Sequence, residues 1–329
     1  MMIADFADCC LWLCVVIDEL WQQLPPAYKR RGGPAPGCSE RELLTLALVG
    51  ECRGGATETT LLSRWAAYPQ LFPLLPERSR FNRRRRRLRH ALDAIRQAVL
   101  AVRDVAQDRQ CALDSPPVPV LAFHVVPGAA GTRLWRAAGA DFGKVPTKQQ
   151  TSCGDTLHLL APASASAVAV GAELLREQHD VVVVGDKGDI GTPLAHELRE
   201  EHAVTLLTVP RRNQRPPLPA AVAQRRNSVR RIIETVDDHL TAPLGLARHH
   251  APTLHGLCAR LHTTLAAHTR CPYLNRLLGH AAFLQIKALA FPTNEHKGPV
   301  ASNCSTLRSP ICTVLQERRT STTTRELLC

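Results

Sequence analysis

The stretch VVVVGDKGDIG, residues 181–191, joins the most apolar run of the chain to a group of turn and charged residues. Four consecutive valines show no polar alternation, which marks a strand buried on both faces in the middle of a sheet. The run ends in Gly185, Asp186 and Lys187. Aspartate and glycine are ordinary turn residues, so this ending taken alone reads equally well as a turn. The surrounding chain decides between a turn and a site.

Short apolar runs alternate with helical patterns from Cys111 onward, the signal of an α/β region. CALDSPPVPVLAF reads as a strand carrying Asp114, and TLHLL, residues 156–160, as a second strand. Between them lies a polar, basic stretch with Arg133, Arg136, Lys144 and Lys148. VAVGAELLREQ predicts a helix before the valine strand, and TPLAHELREEHA predicts one after it. VTLLTVP is a further strand, followed at once by Arg211 and Arg212. SVRRIIETVDDHL is a helix, and helical segments continue to about Phe291. The 38 residues from Pro292 onward are polar, rich in Thr and Ser and without periodicity, which predicts an unstructured tail.

The first third is helical in pattern. Residues 4–23 form an apolar-rich helix, and the Pro- and Gly-rich stretch 25–38 is a linker. Ser39 and Glu42 have capping-box spacing ahead of LLTLALVGEC. A short helix is expected around TETTLLSRWAAY. Phe81, Leu88, Leu92, Ile95, Val99 and Val102 then recur on one face, predicting a single long helix from Arg78 to Ala106. Its first turns carry Arg83, Arg84, Arg85, Arg86 and Arg87 in sequence. Five adjacent arginines surround a helix and repel one another, whereas phosphates alongside turn the run into a clamp. Solvation alone is the competing reading of such a run.

Composition agrees with an anionic partner. The formal net charge is +12 across 329 residues, and a cationic surface attracts phosphate-rich polymers through counterion release. Aromatic residues make up only 4%, which argues against stacking platforms as the main mode of nucleic-acid binding. The 45% hydrophobic content supports a sizeable core. None of the twelve cysteines falls in a C-x-x-C pair, so they read as reduced thiols of a cytoplasmic protein, with no secretory signal and no membrane-spanning run. GDKGDIGTP is not a P-loop, because no Gly-Lys-Ser/Thr follows at the required spacing.

Three carboxylates stand out. Asp114 belongs to the first strand segment and Asp186 ends the valine strand. Glu234 lies on a helix whose buried stripe is Val229, Ile233, Val236 and Leu240. At about 100° per residue it falls off the centre of that stripe and is free to face a groove beside the sheet. Two aspartates and a glutamate make a hard-oxygen donor set suited to Mg²⁺ or Mn²⁺. A pair of such ions supports phosphodiester chemistry without an activated Ser or Cys. Spacing alone is weak support for this reading.

The segments LDSPPVPV, GDKGDIG and RRIIETV resemble the three catalytic segments of bacterial insertion-sequence transposases of the DDE type. The resemblance extends to SRFNRRRRRL, LLTVPRRNQ, HGLCARLHTTLAAHT and YLNRLLGHAAFLQIKALAF, and so covers residues 1–291. It implies a ribonuclease-H-like mixed sheet flanked by helices over residues 108–291, preceded by an all-helical, helix-turn-helix-like DNA-binding region over 1–107. It further implies that Asp114, Asp186 and Glu234 hold two Mg²⁺ or Mn²⁺ ions, with Lys187 near the phosphates. Arg211, Arg212 and Arg231 are candidate DNA contacts, and His158 reads as structural. The expected partner is double-stranded DNA, bound by a homo-oligomer. The expected activity is strand cleavage and transfer; a nuclease that cuts without joining and a non-catalytic DNA-binding protein are the rivals.

Departures from the family pattern are specific. Asp155 and Thr156 stand where the family has an aromatic and a lysine. The chain runs from LHLL straight into APASAS, as if about a dozen residues at 160–161 were missing, and it continues for 38 residues beyond the last matching segment. These departures predict a shortened sheet and a copy with weakened or lost activity.

Overall fold

The computed structural model describes residues 6–29, 32–52, 57–102, 109–113, 117–121, 137, 141–145, 150–156, 161–162, 167–185, 192–208, 219–246 and 249–277. The chain divides into two compact units. One comprises Met1–Val105, Ala242–His250 and His255–Cys329; the other comprises Ala106–Thr241 and Ala251–Leu254.

The helical unit contains α1 (Phe6–Gln23), α2 (Glu40–Cys52), α3 (Glu58–Trp65), α4 (Arg78–Arg87) and α5 (Arg89–Val102). Helix α2 lies at its centre: every residue from Leu43 to Cys52 is buried, as expected for a helix apolar nearly all round. It packs on α1 and α4, while α5 packs on α1 and α4. Both bonds of the capping box are made. The Ser39 N–H donates to Glu42 Oε2 at 2.6 Å, and the Glu42 N–H donates to Ser39 Oγ at 3.2 Å. Ser39→Ala is therefore expected to cost about 0.5–2 kcal/mol, read as a lower urea midpoint with an unchanged denaturant slope.

The long helix expected from Arg78 is two helices. Leu88 interrupts it with φ −82° and ψ 1°, although its N–H still donates to the Arg84 carbonyl and the Leu92 N–H donates to Leu88. One peptide leaves helical geometry without losing the ladder around it, so the apolar face survives the break. Phe81, Leu88, Leu92, Ile95 and Val99 are all buried.

The second unit holds two small sheets. In the first, β1 (Gln110–Ala112), β6 (Val182–Val184) and β7 (Thr205–Leu207) run parallel in the order β1-β6-β7. The valine strand is central, as its lack of alternation predicts. Ahead of β6 lies α6 (Ala167–Arg176), and between β6 and β7 lies α7 (Thr192–His202). Leu175, Val183, Leu198 and Val204 form the core here, with Cys111, Leu113 and Leu206 against it. Helix α8 (Ala220–Thr241) packs against β1 and β6.

The second sheet is antiparallel, β2 (Pro117–Leu121)-β4 (Gln150–Thr156)-β3 (Asp141–Val145), with β5 (Ala161–Pro162) also paired to β4. This corrects one sequence reading. CALDSPPVPVLAF is not one strand but two, β1 and β2, in different sheets. Prolines cannot donate to a ladder and mark such discontinuities. Of the expected second strand TLHLL, Thr156 ends β4 and residues 157–160 lie outside the described residues. The polar, basic stretch contributes β3, with Lys144 inside it. Among the described residues past 160, Ala161 and Pro162 pair back against Thr156 and Asp155.

The boundary expected near residue 107 meets a more complicated division. The expectation gave residues 108–291 to one catalytic domain, yet the last described helix, α9 (Leu254–Leu277), falls from His255 onward in the helical unit. Buried charge explains why. Arg260 and Thr264 of α9 reach Glu51 of α2, so α9 supplies partners that α2 needs. The expected tail, 292–329, lies outside the described residues.

Candidate functional site

The carboxyl ends of β1 and β6 are adjacent and level. Cys111 pairs with Val183 and Ala112 with Val184, and the Leu113 N–H donates to the Val184 carbonyl at 2.9 Å. On the other side of the central strand, the Gly185 N–H donates to the Leu207 carbonyl at 3.3 Å. In sequence the residue after Leu113 is Asp114, and the residue after Gly185 is Asp186. Asp114, Asp186 and Lys187 lie outside the described residues, as do Arg211 and Arg212, which follow β7 by a short step.

Glu234 is described. It sits on α8, and its side chain is exposed, as its position off the apolar stripe implies. Arg230 Nε donates to Glu234 Oε1 at 3.1 Å across one helical turn, a pairing worth only a few tenths of a kcal/mol at such an exposed position, roughly 0.3–0.5. The carboxylate is therefore held weakly and is available to a stronger cation. Arg231, next in sequence, is exposed, and its carbonyl accepts from the Thr235 hydroxyl. Among the described residues no group of three His, Cys, Asp or Glu side chains is arranged to hold a metal ion. Of the three candidate ligands only Glu234 is among them, and its hard oxygens suit Mg²⁺ or Mn²⁺.

The arginine run separates into two kinds of residue. Arg85 turns inward, with Nη2 at 3.1 Å from Glu58 and Nη1 at 3.9 Å from Glu51, and it lies near the Phe81 ring. Burial lowers its pKa. Arg85 is thus a structural cation and leaves the set of expected DNA contacts: a helix packed on one face must send part of any five-residue run into the core. Arg84 lies 3.6 Å and Arg87 3.1 Å from Glu40, with Arg84 mostly covered and Arg87 exposed. Arg83 and Arg86 are exposed, and among the described residues neither meets a carboxylate.

Sequence reasoning missed the buried charges. Glu51 ends an otherwise apolar run, and Arg260 and Arg270 punctuate LCARLHTTLAAHTRC; a charge inside a run of that kind was the available signal. Arg260 Nε lies 2.9 Å from Glu51 Oε1. All three guanidinium nitrogens of Arg270 are buried, with no hydrogen-bond partner among the described residues. Burial lowers its pKa to about 10.

No protein-family model, no curated protein and no solved structure matches this chain. No helix among the described residues is long and apolar enough to cross a membrane.

Proposed function

We propose that this chain is a DNA transposase of the DDE type, binding element ends through its helical unit and cleaving and joining strands at a ribonuclease-H-like core. The observation that carries the reading is the level, parallel pairing of β1 with β6. Each strand is followed closely by an aspartate, and α8, which bears Glu234, packs against the same two strands. The parallel order β1-β6-β7, with helices between its strands, is the α/β arrangement that this reading requires.

In this reading Asp114, Asp186 and Glu234 hold Mg²⁺ or Mn²⁺, which supplies activation of the attacking oxygen and stabilisation of the leaving oxygen. Glu234 exchanges its exposed pairing with Arg230 for that role. Arg83, Arg86 and Arg87 meet phosphates, joined by Lys187, Arg211, Arg212 and Arg231. The protein acts on DNA in the cytoplasm as a homo-oligomer. The sequence between β4 and α6 is short for a full further strand, so catalysis is expected to be slow.

A strand-transfer assay with matched duplex ends and Mg²⁺ tests the whole reading. Joined product supports a transposase. Cut product without joining supports a nuclease on the same fold, and a bound complex without chemistry supports a DNA-binding protein with a dead core. The arginines have a separate test. Replacing Arg83 and Arg86 by Gln should reduce the slope of log affinity against log salt by about 0.9 for each phosphate that is no longer neutralised. An unchanged slope would make them solvated side chains only.

A further inference from the structure

A half-open pocket of about 470 Å³ opens in the helical unit between the linker ahead of α2, the loop ahead of α4, and α4 itself. Its two walls differ in chemistry. Arg80, Arg83 and Arg84 line one side; their spacing places them on one helical face. Pro36 and Leu74 contribute to an apolar side. Leu74 is 61% exposed, unusual for a large aliphatic residue in this chain. It is nevertheless held in place: a Cβ on Gly37 would meet Leu74 Cδ1 at 3.0 Å, so the missing side chain lets Leu74 lie close on the linker. Glu77 also lines the pocket, and its carboxylate accepts from the Ser79 hydroxyl. Arg84 is paired with Glu40, and Arg80 and Arg83 against Glu77 still leave the lining cationic.

The volume falls within the usual range for small-molecule sites. An arginine face opposite an apolar wall fits an anion that carries a flat, weakly polar body. Guanidinium forks recognise phosphate oxygens bidentately, and a nucleobase freed from pairing presents its face to aliphatic carbon. We propose that this pocket holds an unpaired nucleotide at the end of a DNA strand, its phosphate on Arg80, Arg83 and Arg84 and its base against Leu74 and Pro36. The proposal rests on the DNA-binding reading above and names what the helical unit recognises: a strand terminus rather than uniform duplex. Charge complementarity favours this occupant. Arg86 and Arg87 continue along the same helix, where the backbone leading away from the terminus would run.

Fluorescence anisotropy with the full chain tests it, comparing a blunt duplex with the same duplex carrying a one-nucleotide, 5′-phosphorylated overhang. Deoxyadenosine monophosphate serves as competitor. The overhang should bind about tenfold more tightly, and Leu74→Ser should erase that advantage while leaving blunt-duplex affinity unchanged. Because Leu74 is exposed, this substitution leaves the core intact, and circular dichroism checks that it does. Arg80→Gln should reduce the advantage as well. If blunt and overhanging duplexes bind equally, the pocket proposal is overturned and the DNA reading stands. If neither binds, the DNA reading fails first. Mononucleotide binding that is sensitive to Leu74→Ser, without any DNA binding, overturns the strand-end assignment.

Discussion

Glu51→Gln is expected to destabilise the helical unit by about 3–5 kcal/mol, the usual cost of breaking a buried ion pair from one side. The carboxylate is almost wholly buried between two guanidiniums, Arg260 at 2.9 Å and Arg85 at 3.9 Å, and Thr264 Oγ1 lies 3.5 Å from its other oxygen. Burial raises the Glu51 pKa despite both cations, and burial lowers that of Arg85 despite Glu51 and Glu58. Desolvation therefore outweighs attraction for each group. The cluster costs energy to assemble and more to leave half-assembled. Glutamine keeps the volume and removes the charge, so two buried cations lose their shared partner. The contrasting variant is Glu51→Leu with Arg85→Met and Arg260→Leu, which removes the whole cluster and should recover most of the loss. Urea denaturation followed by circular dichroism compares the three proteins. A triple variant no more stable than Glu51→Gln would show that the charges are net stabilising, and a Gln variant within about 0.5 kcal/mol of the parent would remove their structural role altogether.

This cluster also shows where sequence reading stops. The capping box at Ser39 and Glu42 was legible because its two bonds depend on residues three apart. The valine strand was legible because burial on both faces leaves a run without alternation, and it is the central strand of its sheet. The apolar stripe from Phe81 to Val99 was legible through its period, even though Leu88 breaks the helix. Arg85 was not. Its inward turn depends on Glu51 and Glu58, which come from other helices, and periodicity within the run says nothing about partners outside it. The strands β3 and β4, DFGKV and QTSCGDT, carry few apolar side chains. Backbone ladders between neighbours hold them, and side-chain pattern does not record ladders. Glu234 is exposed, but of the stripe expected to be buried on its helix only Leu240 is buried, while Val229, Ile233 and Val236 are half-buried. Its pairing with Arg230 follows the one-turn spacing that the sequence already displays.

Asp186→Asn is expected to lower Mg²⁺-dependent cleavage at least a hundredfold or so, since losing even an outer-sphere partner of a metal ligand costs about 10–100-fold. DNA affinity should stay level or rise slightly, because a negative charge near the phosphates is removed. The same pattern is expected for Asp114→Asn and Glu234→Gln. Asparagine and glutamine match the replaced side chains in shape, so folding gives no reason for the loss. The control lies on the same strand. Asp180 stands ahead of β6, at the end opposite to Asp186, and pairs there with Arg109 at 2.6 Å. Its φ of 54° is a left-handed conformation that Asn accepts readily, so Asp180→Asn should fold normally and cleave at the parental rate. Sequence position on either side of β6 then separates the proposed metal ligand from a residue held in an exposed ion pair. Equal losses in the Asp180 and Asp186 variants would point to general charge or stability effects. Cleavage retained at the parental rate by Asp186→Asn would remove Asp186 from the ligand set, and with it the level ends of β1 and β6 as the basis of the site.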